Sequence, residues 1–251
     1  MPIPKLLATA LAAATLSLPA ATAHAEPPAE SVVLLHGATM DAASWRPVYD
    51  ILTENGVAVT AVQLPLTSLE ADVAAARLAI GRQKGDVVLV GHSYGGAVAT
   101  VAGIDPKVRA LVYVAAFQPE AGESLADLNA RWPMPGHPVD LGDSTMIVDP
   151  AHYAKDIAAD LPTEDAAFLA ASQKPTAFGV FTARLPAAAW HDKPSFAVLA
   201  LEDRTIDPKL QRFMAERSKA EVVELAASHV PHLSHPEAVA DLILEARQAD
   251  R

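Results

Sequence analysis

Apolar residues follow two alternating patterns along the first half of the chain. Short, largely apolar runs at 31–35, 57–64, 86–90 and 108–117 read as strands buried on both faces. Between them lie segments with the 3.6-residue spacing of helices. Residues 44–55 place Trp45, Val48, Ile51 and Leu52 on one face, with Gly56 as the stop. Residues 68–82 form a second predicted helix, opened by a Thr67-x-x-Glu70 capping box with Thr67 as N-cap. A third spans 95–104. Strands this apolar, separated by helices, predict a parallel sheet covered on both faces.

After Phe117 the alternation stops. Residues 118–194 hold 9 of the 20 prolines, lack comparable strand runs and show one clear helix at 163–173. A stretch this long without strand–helix alternation is too long for a loop and reads as an inserted lid. Alternation resumes with a strand at 196–201, a helix at 209–219, a strand at 221–225 and a helix at 236–249. The chain is therefore divided into a leader at 1–25, an α/β core at 26–117 and 195–251, and a lid at 118–194. The leader has Lys5, an Ala/Leu-rich run broken by Pro19, and a small-x-small site at Ala23-His24-Ala25. That is the pattern of a secretory signal peptide, and the run is short for a membrane span. The expected mature protein starts at Glu26 and is secreted or periplasmic, with no membrane contact once the leader is removed.

Composition narrows the chemistry. The formal net charge is −11, with 19 basic and 30 acidic residues, and no basic run occurs. Nucleic acid is not an expected partner, because phosphate neutralisation needs clustered Lys and Arg. The absence of cysteine removes disulfides, thiolate metal sites and cysteine nucleophiles. No His/Asp/Glu spacing typical of zinc appears, so no metal or cofactor is expected.

Gly91-His92-Ser93-Tyr94-Gly95 matches G-x-S-x-G and sits between a predicted strand and a predicted helix. The bare pattern occurs by chance, and a plain Gly-rich turn would also fit it. The strand–turn–helix context is what a nucleophile elbow needs. Ser93 is the candidate nucleophile, its hydroxyl projecting above the sheet edge at the helix N-terminus, where partial positive charge favours an oxyanion. Such a serine needs a base. Of the nine histidines, His36 and His92 belong to Gly-flanked turns where they orient backbone, and His24, His137, His152 and His191 fall in the leader or the lid region. His229, His232 and His235 follow the last strand. A Ser234-x-x-Glu237 capping box would place His235 in a solvent-facing helical turn, and His232 lies further along the loop, so His229 is the preferred base. The base needs an orienting carboxylate. Asp203 stands at the carboxyl end of its strand, whereas Asp207 precedes Pro208 and reads as a helix N-cap. The chain order Ser93, Asp203, His229 suits this architecture. The oxyanion donors are expected to be the backbone N–H groups of Tyr94 and Ala38, with Thr39 in reserve for the second.

Together these residues resemble the α/β-hydrolase superfamily over nearly all of 31–248, and more closely the small bacterial esterases related to the plant methylesterase and hydroxynitrile lyase group. The closer likeness rests on Leu35-His36-Gly37-Ala38, Pro65-Leu66-Thr67-Ser68-Leu69, Val90-Gly91-His92-Ser93-Tyr94-Gly95-Gly96-Ala97, Ala159-Asp160-Leu161-Pro162, Glu202-Asp203-Arg204-Thr205-Ile206 and Ser228-His229-Val230-Pro231. The resemblance implies an α/β-hydrolase fold with a mostly parallel six-stranded sheet and a small helical lid. Three positions depart from relatives, and the first two narrow the chemistry. Dehalogenases and epoxide hydrolases of the superfamily carry an aspartate where this chain has Ser93. Plant hydroxynitrile lyases carry a lysine where it has Val230, and His232 stands where relatives usually have an apolar residue. The expected function is a carboxylesterase acting on small-molecule, small or aryl esters. A perhydrolase or lyase on the same triad, and a non-catalytic ligand-binding homologue, are the alternatives.

Overall fold

A computed structural model describes residues 1–2 and 29–249, so the leader lies outside the described residues apart from its first two. The first half runs β1 (Ser31–Leu35), α1 (Arg46–Glu54), β2 (Ala58–Val62), α2 (Leu69–Arg82), β3 (Val87–His92), α3 (Tyr94–Ala102) and β4 (Val108–Val114). The chain then leaves the sheet for α4 (Leu125–Asn129), β5 (Pro138–Asp140), β6 (Thr145–Val148), α5 (Pro150–Asp156), α6 (Thr163–Ala171), β7 (Thr176–Ala177) and α7 (Gly179–Thr182). It returns as β8 (Ser195–Ala200), α8 (Pro208–Ser218), β9 (Glu221–Leu225), α9 (Pro231–Ser234) and α10 (Pro236–Ala246).

Six strands form one parallel sheet in the order β2-β1-β3-β4-β8-β9. Side chains alternate between its faces, and both faces are apolar. Val33, Leu35, Leu89, Leu111 and Tyr113 pack with α2, α3 and α8. Val32, Leu34, Val88, Val90 and Val112 pack with α1 and α10. Each fully buried aliphatic side chain contributes about 1.5–3 kcal/mol, which is why the uninterrupted apolar runs became strands. From β1 the chain steps outward to β2, then crosses back to build β3 on the other side. Loops leaving β1 and β3 therefore diverge and open a crevice at the strands' carboxyl ends. Leu35 pairs with Gly91, so the two loops emerge side by side.

Several local expectations are corrected. The N-cap of α2 is Ser68, whose hydroxyl accepts from the Ala71 N–H. Thr67 is one residue too early, and its box with Glu70 does not form. Nor does Ser234 cap α10: it ends α9, and His235 precedes Pro236, which occupies the first helical position where its missing N–H costs nothing. Two strands are shorter than their apolar runs, β2 stopping at Val62 and β4 at Val114. The intervening segment is not simply helical. It carries a three-stranded antiparallel sheet in the order β5-β6-β7. These strands have three, four and two residues, too short to show an alternating pattern.

Asp207 has non-helical backbone, φ −47° and ψ 130°, and its carboxylate accepts from the Lys209 N–H at 2.7 Å, capping α8. Asp207→Ala is expected to cost about 1 kcal/mol, read as a lower urea midpoint. An unchanged midpoint would remove the capping role.

Candidate active site

The turn from β3 to α3 is too tight for ordinary backbone. Ser93 has φ 52° and ψ −122°, outside the regions side chains prefer. A Cβ on Gly91 would lie 2.5 Å from the Gly95 carbonyl oxygen, and one on Gly95 would lie 2.5 Å from the Leu35 oxygen. Both positions must therefore be glycine. The Ser93 carbonyl is held by the Gly96 and Phe117 N–H groups, at 3.0 and 3.2 Å. Fixed in this way, the hydroxyl stands above the sheet edge, and Tyr94 begins α3 with an N–H outside the intrahelical ladder.

His229 arrives on the loop after β9. Its Nε2 lies 2.9 Å from Ser93 Oγ and its Nδ1 lies 2.7 Å from Asp203 Oδ2. An aspartate carboxylate only accepts, so the ring proton sits on Nδ1 and Nε2 accepts from the serine hydroxyl. Asp203 is held from three further directions. Its Oδ1 accepts from the Thr205 and Ile206 N–H groups at 2.7 and 3.0 Å, and its Oδ2 from Gln211 Nε2 at 2.8 Å. Sequence reasoning missed Gln211, a buried polar residue between the buried Leu210 and Met214 on α8. It missed Asp160 as well, which accepts from the Ser228 N–H at 3.0 Å and from the Ser228 hydroxyl, clamping the residue before His229. Burial pushes the Asp160 carboxyl up, but the Ser228 hydrogen bonds outweigh it and hold the group below the usual aspartate range.

The loop after β1 supplies the other half of the site. His36 donates from Nδ1 to the Gly37 carbonyl at 2.9 Å, while its Nε2 accepts from the Leu64 N–H at 3.0 Å. The Gly37 C=O and Ala38 N–H belong to one trans peptide, so pinning the oxygen turns the Ala38 N–H the opposite way. The loop lies against the elbow: a Cβ on Gly37 would sit 3.0 Å from Ser93 Cβ. The Thr39 N–H, the reserve donor, is already given to Thr176 Oγ1 at 2.9 Å.

His92 holds the backbone of His229, donating from Nε2 to the His229 carbonyl at 2.8 Å. His232 lies outside the serine–histidine–aspartate chain. It is fully buried between Trp45 and His92, at ring-centroid distances of 4.7 and 4.2 Å, and neither of its ring nitrogens has a partner among the described residues. His235 is partly exposed, beside Ser234. Burial lowers the proton affinity of His36 to a pKa of about 4 and of His232 to about 3. It holds His92 well below the ordinary imidazole range, helped by repulsion from His232 and His229.

Ser93 and His229 open onto a cavity of about 320 Å³. Its walls are chiefly apolar, including Met40, Phe117, Met146, Tyr153, Phe178 and Phe181. Among the described residues, no group of three or more His, Asp or Glu could hold a metal ion, and no helix is long and apolar enough to cross a membrane.

A parallel sheet with a serine elbow after β3, an acid after β8 and a histidine after β9 defines a hydrolase architecture. The chain belongs to the Alpha/beta hydrolase family, whose model matches residues 32–242. It is 60% identical over 45 residues to a carbendazim hydrolyzing esterase of Nocardioides sp. (strain SG-4G). That stretch is 17% of this chain and 19% of the esterase, so the match spans about a fifth of that protein's length. The fold is shared with a pyrethroid hydrolase from Sphingobium faniae JZ-2, at 24% identity, TM-score 0.74, and coverage of 87% of this chain and 97% of that one. It is shared too with a methylesterase from Arabidopsis, at 20% identity, TM-score 0.71, and coverage of 86% and 98%. The expected six-stranded α/β-hydrolase fold and the likeness to the plant methylesterase group are thereby met.

The buried histidines give the fold an acid limit. They stay neutral where the unfolded chain takes up protons, so their contribution is complete above about pH 6.5 and is lost as pH falls. For His36 the window runs down to a pKa of about 4, worth on the order of 3 kcal/mol. The urea midpoint should fall across that window. His232→Leu forfeits no hydrogen bond, so it should leave the midpoint at pH 7 unchanged or higher and make the acid decline shallower. An equally steep decline in the variant would contradict this account.

Proposed function

We propose that the protein is a secreted serine hydrolase, a carboxylesterase on small or aryl esters, working through Ser93, His229 and Asp203. The observation that carries this reading is the unbroken chain from Ser93 Oγ to His229 Nε2 at 2.9 Å and from His229 Nδ1 to Asp203 Oδ2 at 2.7 Å. It ends in a chiefly apolar cavity of a kind suited to uncharged esters. The esterase and pyrethroid hydrolase named above support the substrate class.

In the reaction, Ser93 Oγ attacks the ester carbonyl carbon while its proton passes to His229 Nε2. Asp203 stabilises the imidazolium and keeps the ring oriented. The carbonyl oxygen, now an oxyanion, accepts from the Tyr94 and Ala38 N–H groups. His229 returns the proton to the leaving alcohol, leaving an acyl-serine. Water, deprotonated by His229, then attacks the acyl carbon, and the second tetrahedral intermediate collapses to the free acid as His229 returns that proton to the departing Ser93 Oγ. Every step uses side chains and backbone of this chain, with no cofactor. Val230 is buried beside His229, where the resemblance places the lysine of hydroxynitrile lyases, which favours hydrolysis over lyase chemistry.

A serine-directed phosphonate should label Ser93 one to one and abolish turnover of an activated acetate ester. Ser93→Ala should leave only a residual rate, and Asp203→Asn should lower kcat by about 10⁴-fold with the urea midpoint largely retained. Full turnover in Ser93→Ala would end this reading. Export is a separate part of the proposal. N-terminal sequencing of protein recovered outside the cytoplasm should begin at Glu26, and a sequence beginning at Met1 would overturn it.

A further inference from the structure

We propose that segment 174–177 of the inserted region, which ends in β7, sets the oxyanion site, with Thr176 as the positioning residue that aims the Ala38 N–H. The inference rests on the serine hydrolase reading above.

The starting point is backbone conformation. Thr39, directly after the proposed donor Ala38, has φ 59°, a left-handed conformation that a β-branched residue adopts only when its surroundings impose it. Both of its backbone groups are held by the inserted segment. The Thr39 N–H donates to Thr176 Oγ1 at 2.9 Å, and the Thr39 carbonyl accepts from the Lys174 N–H at 2.9 Å. Thr176 is fully buried, and its hydroxyl proton points to the Lys174 carbonyl at 3.4 Å. The hydroxyl therefore offers Thr39 an oriented lone pair. With Thr39 fixed from the far side and the Gly37 carbonyl fixed by His36, the peptide between them that bears the Ala38 N–H has little freedom to turn.

The same strand reaches the other proposed donor. The Ala177 N–H donates to the Leu66 carbonyl at 2.9 Å, and Leu66 is itself left-handed, with φ 62°. The Leu66 N–H donates to Asp72 Oδ1 at 2.7 Å, and Asp72 Oδ2 accepts from the Tyr94 hydroxyl at 2.6 Å. One short strand thus connects the Ala38 loop to Tyr94 through two conformationally constrained residues. Its outer edge pairs with β6, where Met146 lies opposite Thr176, and Met146, Val148 and Phe178 all line the ester cavity. The wall that receives the substrate and the loop that receives the oxyanion share one strand. A displaced wall would turn the donor.

The test compares Thr176→Val, which keeps the shape and removes the acceptor, with Thr176→Ser, which keeps the acceptor. On p-nitrophenyl acetate, Thr176→Val should lose about 10²-fold in kcat, the cost of a misaimed group. KM should stay within about twofold, and the rate of Ser93 phosphonylation should fall in parallel. Thr176→Ser should recover most of both rates. If Thr176→Val does not fold, Thr176→Ala, which lets a water reach the Thr39 N–H, should show a smaller loss confined to kcat. Thermal midpoints taken on the same preparations separate misaiming from unfolding. Undiminished kcat in both Thr176→Val and Thr176→Ala, a loss that only tracks the unfolded fraction, or no recovery in Thr176→Ser would each overturn the inference alone, provided Ser93→Ala is dead. Turnover that survives Ser93→Ala would overturn the serine hydrolase reading and this inference with it.

Discussion

The left-handed turn at Ser93 is the constraint from which the rest of the site follows. A serine at φ 52° costs on the order of 1–3 kcal/mol, and it persists because β3 and α3 are both locked into the core. That locking needs Gly91 and Gly95, where the strand, the helix and the end of β1 approach too closely for any Cβ. In return the hydroxyl projects at the start of α3, with the Tyr94 N–H beside it. The burial of Tyr94 and its hydrogen bond to Asp72 then tie the elbow to α2. Burial drives the Asp72 carboxyl above its usual range although the Tyr94 and Leu66 hydrogen bonds oppose the shift, so the tie joins a strained turn to a costly buried acid. Both depend on packing elsewhere in the molecule.

How much of this is legible along the chain depends on how local the cause is. The six sheet strands and the elbow are legible because apolar runs and a glycine-flanked serine are local signals. The caps of α2 and α10 were displaced by one residue. A capping-box pattern is cheap in sequence and neither helix uses one: Ser68 alone caps α2, and α10 begins at Pro236 with no side-chain cap. The inserted three-stranded sheet left no pattern because its strands are no longer than two periods of alternation. Gln211, Asp160 and Thr176 were not legible as parts of the site. Thr176 meets Thr39 across 137 residues, and Asp160 meets Ser228 across 68. Nothing in the neighbourhood of either residue announces its partner. Signals short of a role existed in two cases: Asp160 lies in a stretch that carries the family likeness, and Gln211 falls on the apolar face of its helix with Leu210 and Met214.

The inserted region is more than a cover. Asp160 clamps Ser228, the Asp156 carbonyl accepts from the Thr205 hydroxyl at 3.1 Å, and Thr176 holds Thr39. Each contact falls one or two residues from a member of the proposed machinery: His229, Asp203 and Ala38. The core therefore provides the strand ends, while the insertion sets the final angles of the loops that leave them. Substitutions in its cavity walls should then alter rate constants as well as substrate preference, a consequence that a passive lid would not share.

The electrostatics complete the argument. Four imidazoles, those of His36, His92, His229 and His232, crowd around the crevice, and a proton shared among them would blunt any base. Only His229 faces a carboxylate directly. His36 is spent on backbone at both nitrogens, and His92 on the His229 carbonyl. His232 is buried against Trp45 without a partner for either nitrogen among the described residues. Burial keeps all three neutral at physiological pH, and any charge appearing on His229 opposes protonation of His92 and His232 further. In the proposed reaction the proton leaving Ser93 has one favourable place to go. The neighbouring histidines act by being unable to compete for it, which is why a cluster this dense does not scatter the charge that acyl transfer must hold at His229.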